Sequence, residues 1–189
     1  EELAWGCSGI GTSIGANGLA SAPVQLGGSE ETKKKYLGML AEEPKLASFC
    51  LTDPDAGSDG AGMKTRAVQK GDKYVLNGSK CFITNGSYAD WFTVYAKTDP
   101  DAGSRGITAF VVDKQDGITI DKKEDKMGQR ASNTATVTFN DVEVPADEGD
   151  LLALDEDVGD RHCAGVDDGP ALDERAHVVL LRGRGCRAA

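Results

Sequence analysis

Hydrophobic and polar positions change their rhythm twice along this chain. Over residues 29–44 the apolar residues Tyr36, Leu37 and Leu40 recur at helical spacing. They follow Ser29, whose hydroxyl can cap a first turn containing Glu30 and Glu31, and Pro44 stops the pattern. This predicts a helix. Upstream, residues 1–19 are rich in Ala but carry Gly6, Gly9, Gly11, Gly15 and Gly18. Each glycine costs about 1 kcal/mol against Ala in a helix interior, so this segment is expected to be helical only where tertiary packing holds it. Its small residues would let a neighbouring helix approach closely.

From residue 47 to residue 145 the period becomes that of strands. Segments 65–69 and 74–76 flank Lys70, Gly71, Asp72 and Lys73 as a hairpin, and Asn77-Gly78 is a second turn signal just downstream. Further strands are expected at 79–84, 91–97, 106–113, 118–122 and 134–144, with the polar stretch 98–105 as a surface connection. Six or seven short strands separated by turns predict a compact antiparallel barrel or sandwich. The fold class is therefore α+β, with short N-terminal helices ahead of a β-domain.

After residue 146 neither period continues. Every lysine lies at or before Lys126, and the later basic residues are all arginines among Asp, Gly and Ala. Segments 151–153, 178–181 and 182–187 keep no helical or strand period, so this part reads as an irregular or disordered tail. A natural flexible extension is one explanation. The preferred one is that translation leaves the ancestral frame near residue 150, codon bias then supplying Arg, Gly and Ala. The chain accordingly divides into a helical segment at 1–46, a β-domain at 47–147 and an atypical tail at 148–189.

Composition narrows the function. A chain of 189 residues that is 39% hydrophobic can build one core with helical flanks. Its net charge of −10 argues against a nucleic-acid partner, which needs a basic face. Lys33, Lys34 and Lys35 point in different directions on a helix and read as a solvated face, with steering of an anionic ligand as the alternative. The five cysteines, Cys7, Cys50, Cys81, Cys163 and Cys186, are odd in number and form no CxxC pair, which disfavours a disulfide framework. His162 and His177 lie beside no ligand-spaced cluster, so a metal site is not expected. No apolar run approaches the ~20 residues that span a bilayer. The chain opens on Glu1 instead of Met, so its native start is expected to be missing, and the absence of a targeting signal carries little weight.

Two segments carry candidate chemistry. Residues 49–59, from Phe49 through Cys50, Leu51 and Thr52 to Gly57 and Ser58, follow a helix and a proline and open the β region. Thr52 beside Asp53-Pro54, with the Ala-Gly-Ser-Asp turn, puts hydroxyls and backbone N–H groups in one tight loop. Such a loop can donate hydrogen bonds to an electron-rich ring edge or carbonyl. Taken alone it is equally an Asp-Pro turn with side-chain capping. The second segment is residues 81–86, in which Phe82 offers a flat apolar face and Thr84 a hydroxyl on the same face of a strand. That pairing suits a planar heteroaromatic group, which needs stacking area and an edge donor. Taken alone it is ordinary strand packing.

Together with residues 1–7, 33–38, 42–44, 126–132 and 139–145, these two segments make the chain resemble the acyl-CoA dehydrogenases, with a close match to the medium-chain branch. The resemblance covers about 145 residues in order. It implies FAD as cofactor and α,β-desaturation of acyl-CoA thioesters in fatty-acid β-oxidation. By the same resemblance Phe49, Cys50, Leu51, Thr52, Gly57 and Ser58 would contact the isoalloxazine edge, and Phe82, Ile83 and Thr84 would cover one face of the ring. Ser58 would also hydrogen-bond the thioester. Family partners would be acyl-CoA and an electron-transfer flavoprotein, and the family assembles as homotetramers. The compartment would be the bacterial cytoplasm or the mitochondrial matrix.

The chain also departs from the family pattern. The usual Glu of the loop is Asp53, and the covering aromatic, Trp in many relatives, is Phe82. The family's α-proton base is a carboxylate in a C-terminal helical domain, a Glu in the medium-chain branch, and no residue here matches it. Asp155, Glu156, Asp157, Asp173 and Glu174 are carboxylates of the tail and have no claim to that role by type alone. No catalytic residue is assigned, and the chain is expected to have little or no dehydrogenase activity. A non-catalytic flavin- or protein-binding β-domain, or a broken gene product, is the alternative. An acyl-CoA oxidase would share the fold and differ in reactivity with oxygen.

Overall fold

The structure, a computed structural model, describes residues 1–146. The expected tail and its carboxylates lie outside the described residues. Three helices lead: α1 (Glu2–Gly6), α2 (Ser8–Gly27) and α3 (Glu30–Glu42). Helix α3 starts as its sequence dictates, with the Thr32 amide donating to Ser29 Oγ at 3.1 Å and Glu30 and Glu31 in the first turn.

The glycine-rich segment is helical because the sheet holds it. Ala16, Ala20 and Val24 of α2 are buried, and Thr93 donates its hydroxyl to the Ala20 carbonyl at 2.7 Å. The Ala47 amide donates to Asn17 Oδ1 at 2.9 Å. A Cβ on Gly9 would stand 3.0 Å from Ala131 Cβ, so this glycine permits the close approach of residues 131–132. At Gly11 the close neighbour is the helix that was expected, since a Cβ there would stand 3.3 Å from Ala4 of α1.

Seven strands follow: β1 (Ala47–Cys50), β2 (Arg66–Lys70), β3 (Lys73–Thr84), β4 (Trp91–Lys97), β5 (Ile107–Asp113), β6 (Ile118–Lys123) and β7 (Thr134–Pro145). They form one curled sheet in the order β1-β4-β2-β3-β7-β6, with β5 also on β4. Pairing is mostly antiparallel, as expected, but β1 runs parallel to β4 and β2 touches β4 in parallel at Arg66 and Lys97. Strand β1 lies along Trp91–Val94 and β2 begins opposite Lys97, so the chain runs past loop 51–65 in the direction of β4 and both pairings are parallel.

Strand β4 is buried on both faces, which explains its nearly unbroken apolar sequence. Trp91 and Tyr95 join Ile107, Ala109 and Val111 against Val24 and Tyr36 of the helices. Phe92, Val94 and Ala96 face the other way, into the curl, with Phe110, Val137 and Phe139. Strand β6, at one end of the sheet order, is exposed along nearly its whole length.

The β2–β3 hairpin turns at Gly71, which takes φ +66. Asn77-Gly78 is not a turn. Strand β3 runs straight through it with a register shift between Leu76 and Gly78. Gly78 takes φ +148, and a Cβ there would sit 2.5 Å from Thr65 Oγ1. Glycine is required because another segment crosses at contact distance, so a turn-like dipeptide marks a bulge.

Asp90 fastens the start of β1. Its carboxylate accepts from the Leu46 amide at 3.0 Å and from Lys45 Nζ at 3.0 Å. Burial alone would raise this carboxyl's pKa, but the Leu46 N–H and the Lys45 ammonium hold it below the ordinary 3.8.

Gly78→Ala is expected to cost about 2–4 kcal/mol through strain and overpacking, read from urea unfolding. Because folding lowers the Asp90 pKa, its contribution to stability is complete above the ordinary carboxylate range. It fades as pH falls through the lowered folded value. Asp90→Asn should therefore flatten the acid limb of the stability curve below about pH 4, measured by unfolding at stepped pH.

Candidate functional site

The two chemistry-bearing segments converge at one corner of the sheet. Ser48 Oγ donates to the Thr84 carbonyl at 2.8 Å, and the Cys81 amide donates to the Thr52 carbonyl at 2.9 Å. Lys80 Nζ donates to the Leu51 carbonyl at 2.9 Å. Three successive ties thus hold the end of β1 and its following loop against the last turns of β3.

At the centre is a buried ion pair. Lys80 and Asp53 are 0% and 3% exposed, and the ammonium donates to Asp53 Oδ1. Asp53 Oδ1 also accepts from Thr65 Oγ1 at 3.0 Å, while Oδ2 accepts from the amides of Lys64 at 2.6 Å and Thr65 at 2.8 Å. Four donors therefore occupy this carboxylate, two on each oxygen, which leaves none of its acceptor capacity for a ligand. Burial pushes the Lys80 ammonium below the ordinary lysine range against the upward pull of Asp53. Its oxygen acceptors keep it bound as a charged group.

Asp53 also exchanges backbone bonds with Ala56, at 3.1 and 3.2 Å, so the loop is closed twice at its base. Gly57 and Ser58 project from this closed base and are exposed, with open space around Gly57.

The expected site residues separate into two groups. Cys50 and Ile83 point into the core at 0% and 2% exposure, so only their backbone is available. Burial pushes the Cys50 thiol up to about 12, which makes it inert. Phe49 and Leu51 are half-buried against the helix-side core, Phe49 edge-on to Tyr95 with ring centroids 5.2 Å apart. Thr52 and Thr84 are half-buried, and Ser58 is exposed. Among the described residues, the hydroxyls of Thr52, Ser58 and Thr84 have no partner.

Phe82 is 66% exposed and takes φ +59, a left-handed conformation that costs a bulky residue about 1–2 kcal/mol. It lies in the register shift between Lys80 and Ile83. Phe82 is exposed and Thr84 half-buried on either side of the buried Ile83.

Just beyond, Asn85 takes φ +64 and donates its side-chain amide to the Ser13 carbonyl at 2.8 Å, tying this corner to α2. Its backbone amide donates to the Asn133 carbonyl at 3.0 Å. Asn133 Oδ1 in turn accepts from the Ser87 amide at 2.9 Å.

Sequence reasoning treated Asp53 as a shortened carboxylate of the loop and passed over Lys80. Strict alternation would put Lys80 on the face of Phe82 and Thr84, and it is inward only because the register shift between Lys80 and Ile83 breaks that alternation, so no local pattern marked it.

Residues 48–142 match the middle domain of the acyl-CoA dehydrogenases, and residues 1–44 match their N-terminal domain. Over 149 residues the chain is 52% identical to a probable medium-chain specific acyl-CoA dehydrogenase 2, mitochondrial, of Caenorhabditis briggsae, covering 77% of this chain and 36% of that one. It is 48% identical to cyclohex-1-ene-1-carbonyl-CoA dehydrogenase of Geobacter metallireducens, covering 78% and 39%. Butyryl-CoA dehydrogenase from Megasphaera elsdenii superimposes with a TM-score of 0.73 at 44% identity, over 76% of this chain and 38% of that one. The chain thus spans less than two fifths of the length of these relatives. Among the described residues no helix is long and apolar enough to cross a membrane. Two domain matches in sequence order and relatives near half identity show that the chain belongs to the acyl-CoA dehydrogenase family.

Proposed function

We propose that this chain forms the flavin-binding part of an FAD-dependent acyl-CoA dehydrogenase, which desaturates an acyl-CoA thioester between Cα and Cβ. The observation that carries this reading is a set of unused donors around a displayed ring. Among the described residues Thr52 and Thr84 keep partnerless hydroxyls on the two segments tied together next to Phe82, an aromatic exposed at an energetic cost, and Ser58 keeps another at the exposed end of the loop.

Those residues fit a flat, polar-edged group. Phe82 would cover one ring face, the Thr52 and Thr84 hydroxyls would donate to its edge, and the backbone at Phe49, Cys50, Leu51 and Ile83 would line it. Ser58, projecting beyond Gly57, would orient the thioester. FAD, when bound, supplies acceptance of a hydride from the substrate.

The complementary step, removal of the α-proton, needs a carboxylate in a dry site beside a polarised carbonyl. No residue in the matched segment corresponds to the family's base, so that step requires a group outside it. An electron-transfer flavoprotein as acceptor, a homotetramer, and residence in a bacterial cytoplasm or a mitochondrial matrix belong to the same proposal.

A non-catalytic protein-binding domain is the second reading. It is favoured by the outer face of α1 and α2, where Trp5 is 90% exposed and Leu3, Ile10 and Ile14 are exposed with it.

Titrating the purified chain with FAD separates the two. The enzyme reading expects a bound-flavin absorbance band and quenched flavin fluorescence, and a chain that leaves flavin free in solution overturns it. Phe82→Gly should stabilise the flavin-free chain by about 1 kcal/mol, because glycine takes φ +59 without cost, while weakening FAD binding about tenfold. Ser58→Ala should leave FAD affinity nearly unchanged and abolish the spectral perturbation that an acyl-CoA causes in the bound flavin. The chain alone should fail to reduce an electron-accepting dye with octanoyl-CoA.

A further inference from the structure

We infer that the buried Lys80–Asp53 pair is the positioning element of the site, setting the separation between the hydroxyl-bearing loop and the Phe82–Thr84 segment. This inference rests on the flavin reading for its purpose, but its geometry stands independently.

Asp53 follows Thr52 directly and closes loop 53–65 at both ends, through Ala56 on one side and the Lys64 and Thr65 amides on the other. Ser58 therefore projects from a frame whose base is a single carboxylate. Lys80 belongs to β3 and lies two residues before Phe82, at the start of the register shift that turns Phe82 outward. Its ammonium bonds both Asp53 and the Leu51 carbonyl, bracketing Thr52 from either side. The Thr52 carbonyl then accepts from the Cys81 amide at 2.9 Å. The loop that would donate to the ring edge and the segment that would stack on the ring thus share one electrostatic joint, sealed from water.

Neither charged group has acceptor or donor capacity directed at the outer face. Their role is to position the loop and the stacking segment, and no contact with the reacting atoms is assigned to them. A buried pair of this kind is costly to break from one side, because the survivor keeps its charge without a partner.

The test compares Lys80→Met, Asp53→Asn, the double variant Lys80→Met/Asp53→Asn and the milder Thr65→Val, which removes one donor to Asp53. Each is followed by amide hydrogen exchange of the flavin-free chain and by FAD titration. The double variant carries no unpaired charge, and Thr65→Val keeps both charges, so one of them reports even where a single charge deletion fails to fold. The expected result is faster exchange confined to the Cys81 amide, residues 57–58 and 82–84, with β5 still protected, together with FAD binding weakened at least about tenfold.

Unchanged protection at Cys81 and the loop overturns the inference. So does loss that is uniform through β5, which would make the pair a prop of the whole fold. FAD binding within about twofold of the parent in the double variant also overturns it. If the parent chain itself does not take up FAD, the flavin reading fails, while the exchange pattern still decides whether this pair couples the two segments.

Discussion

An ammonium cannot remain in a protein interior without acceptors, and a carboxylate there must find donors. This constraint organises the corner of the sheet that matters most. Lys80 and Asp53 satisfy each other, and between them they recruit the Leu51 carbonyl, the Thr65 hydroxyl and two backbone amides. A loop of fifteen residues between β1 and β2 is thereby given a fixed base without strands of its own. The hydroxyls and the glycine that it carries inherit that order although they are themselves at the surface.

The helices and the sheet supply the frame for this corner. Strand β4, buried on both faces, separates the core beneath the helices from the core inside the curl. Asn17 and Asn85 then join α2 to the entry of β1 and the exit of β3 by side-chain bonds to backbone. The left-handed backbone at Phe82 and Asn85 lies where these ties converge, so the surroundings hold a conformation that neither residue would choose alone.

Much of this was legible in the sequence. Ser29 with Glu30 and Glu31 gave the start of α3, and the apolar runs of β4 and β5 were visible as strands, because in these places local chemistry and tertiary fold agree. The convergence of 49–58 with 82–84 followed from the residue types and the family resemblance. The parallel pairing of β1 with β4 was not legible, since it depends on where loop 51–65 and the β2–β3 hairpin together deliver the chain. Asn77-Gly78 misled because the same dipeptide serves a tight turn and a bulge, and only the crossing of Thr65 distinguishes them. The inward direction of Cys50 and Ile83 is likewise set by strand register, which no local pattern fixes at a bulge.

Strand β6 illustrates how charge can define where a sheet stops. Its far edge offers unpaired backbone groups, but Asp121, Lys122 and Lys123 crowd its exposed length, and Lys122 is held by Glu124 at 3.0 Å. A second molecule adding its own β6 would have to strip the hydration of these charges, and in a parallel, in-register pairing it would set lysine beside lysine along the new seam. The β-domain can therefore display an aromatic ring on one side and still resist polymerising through its open border.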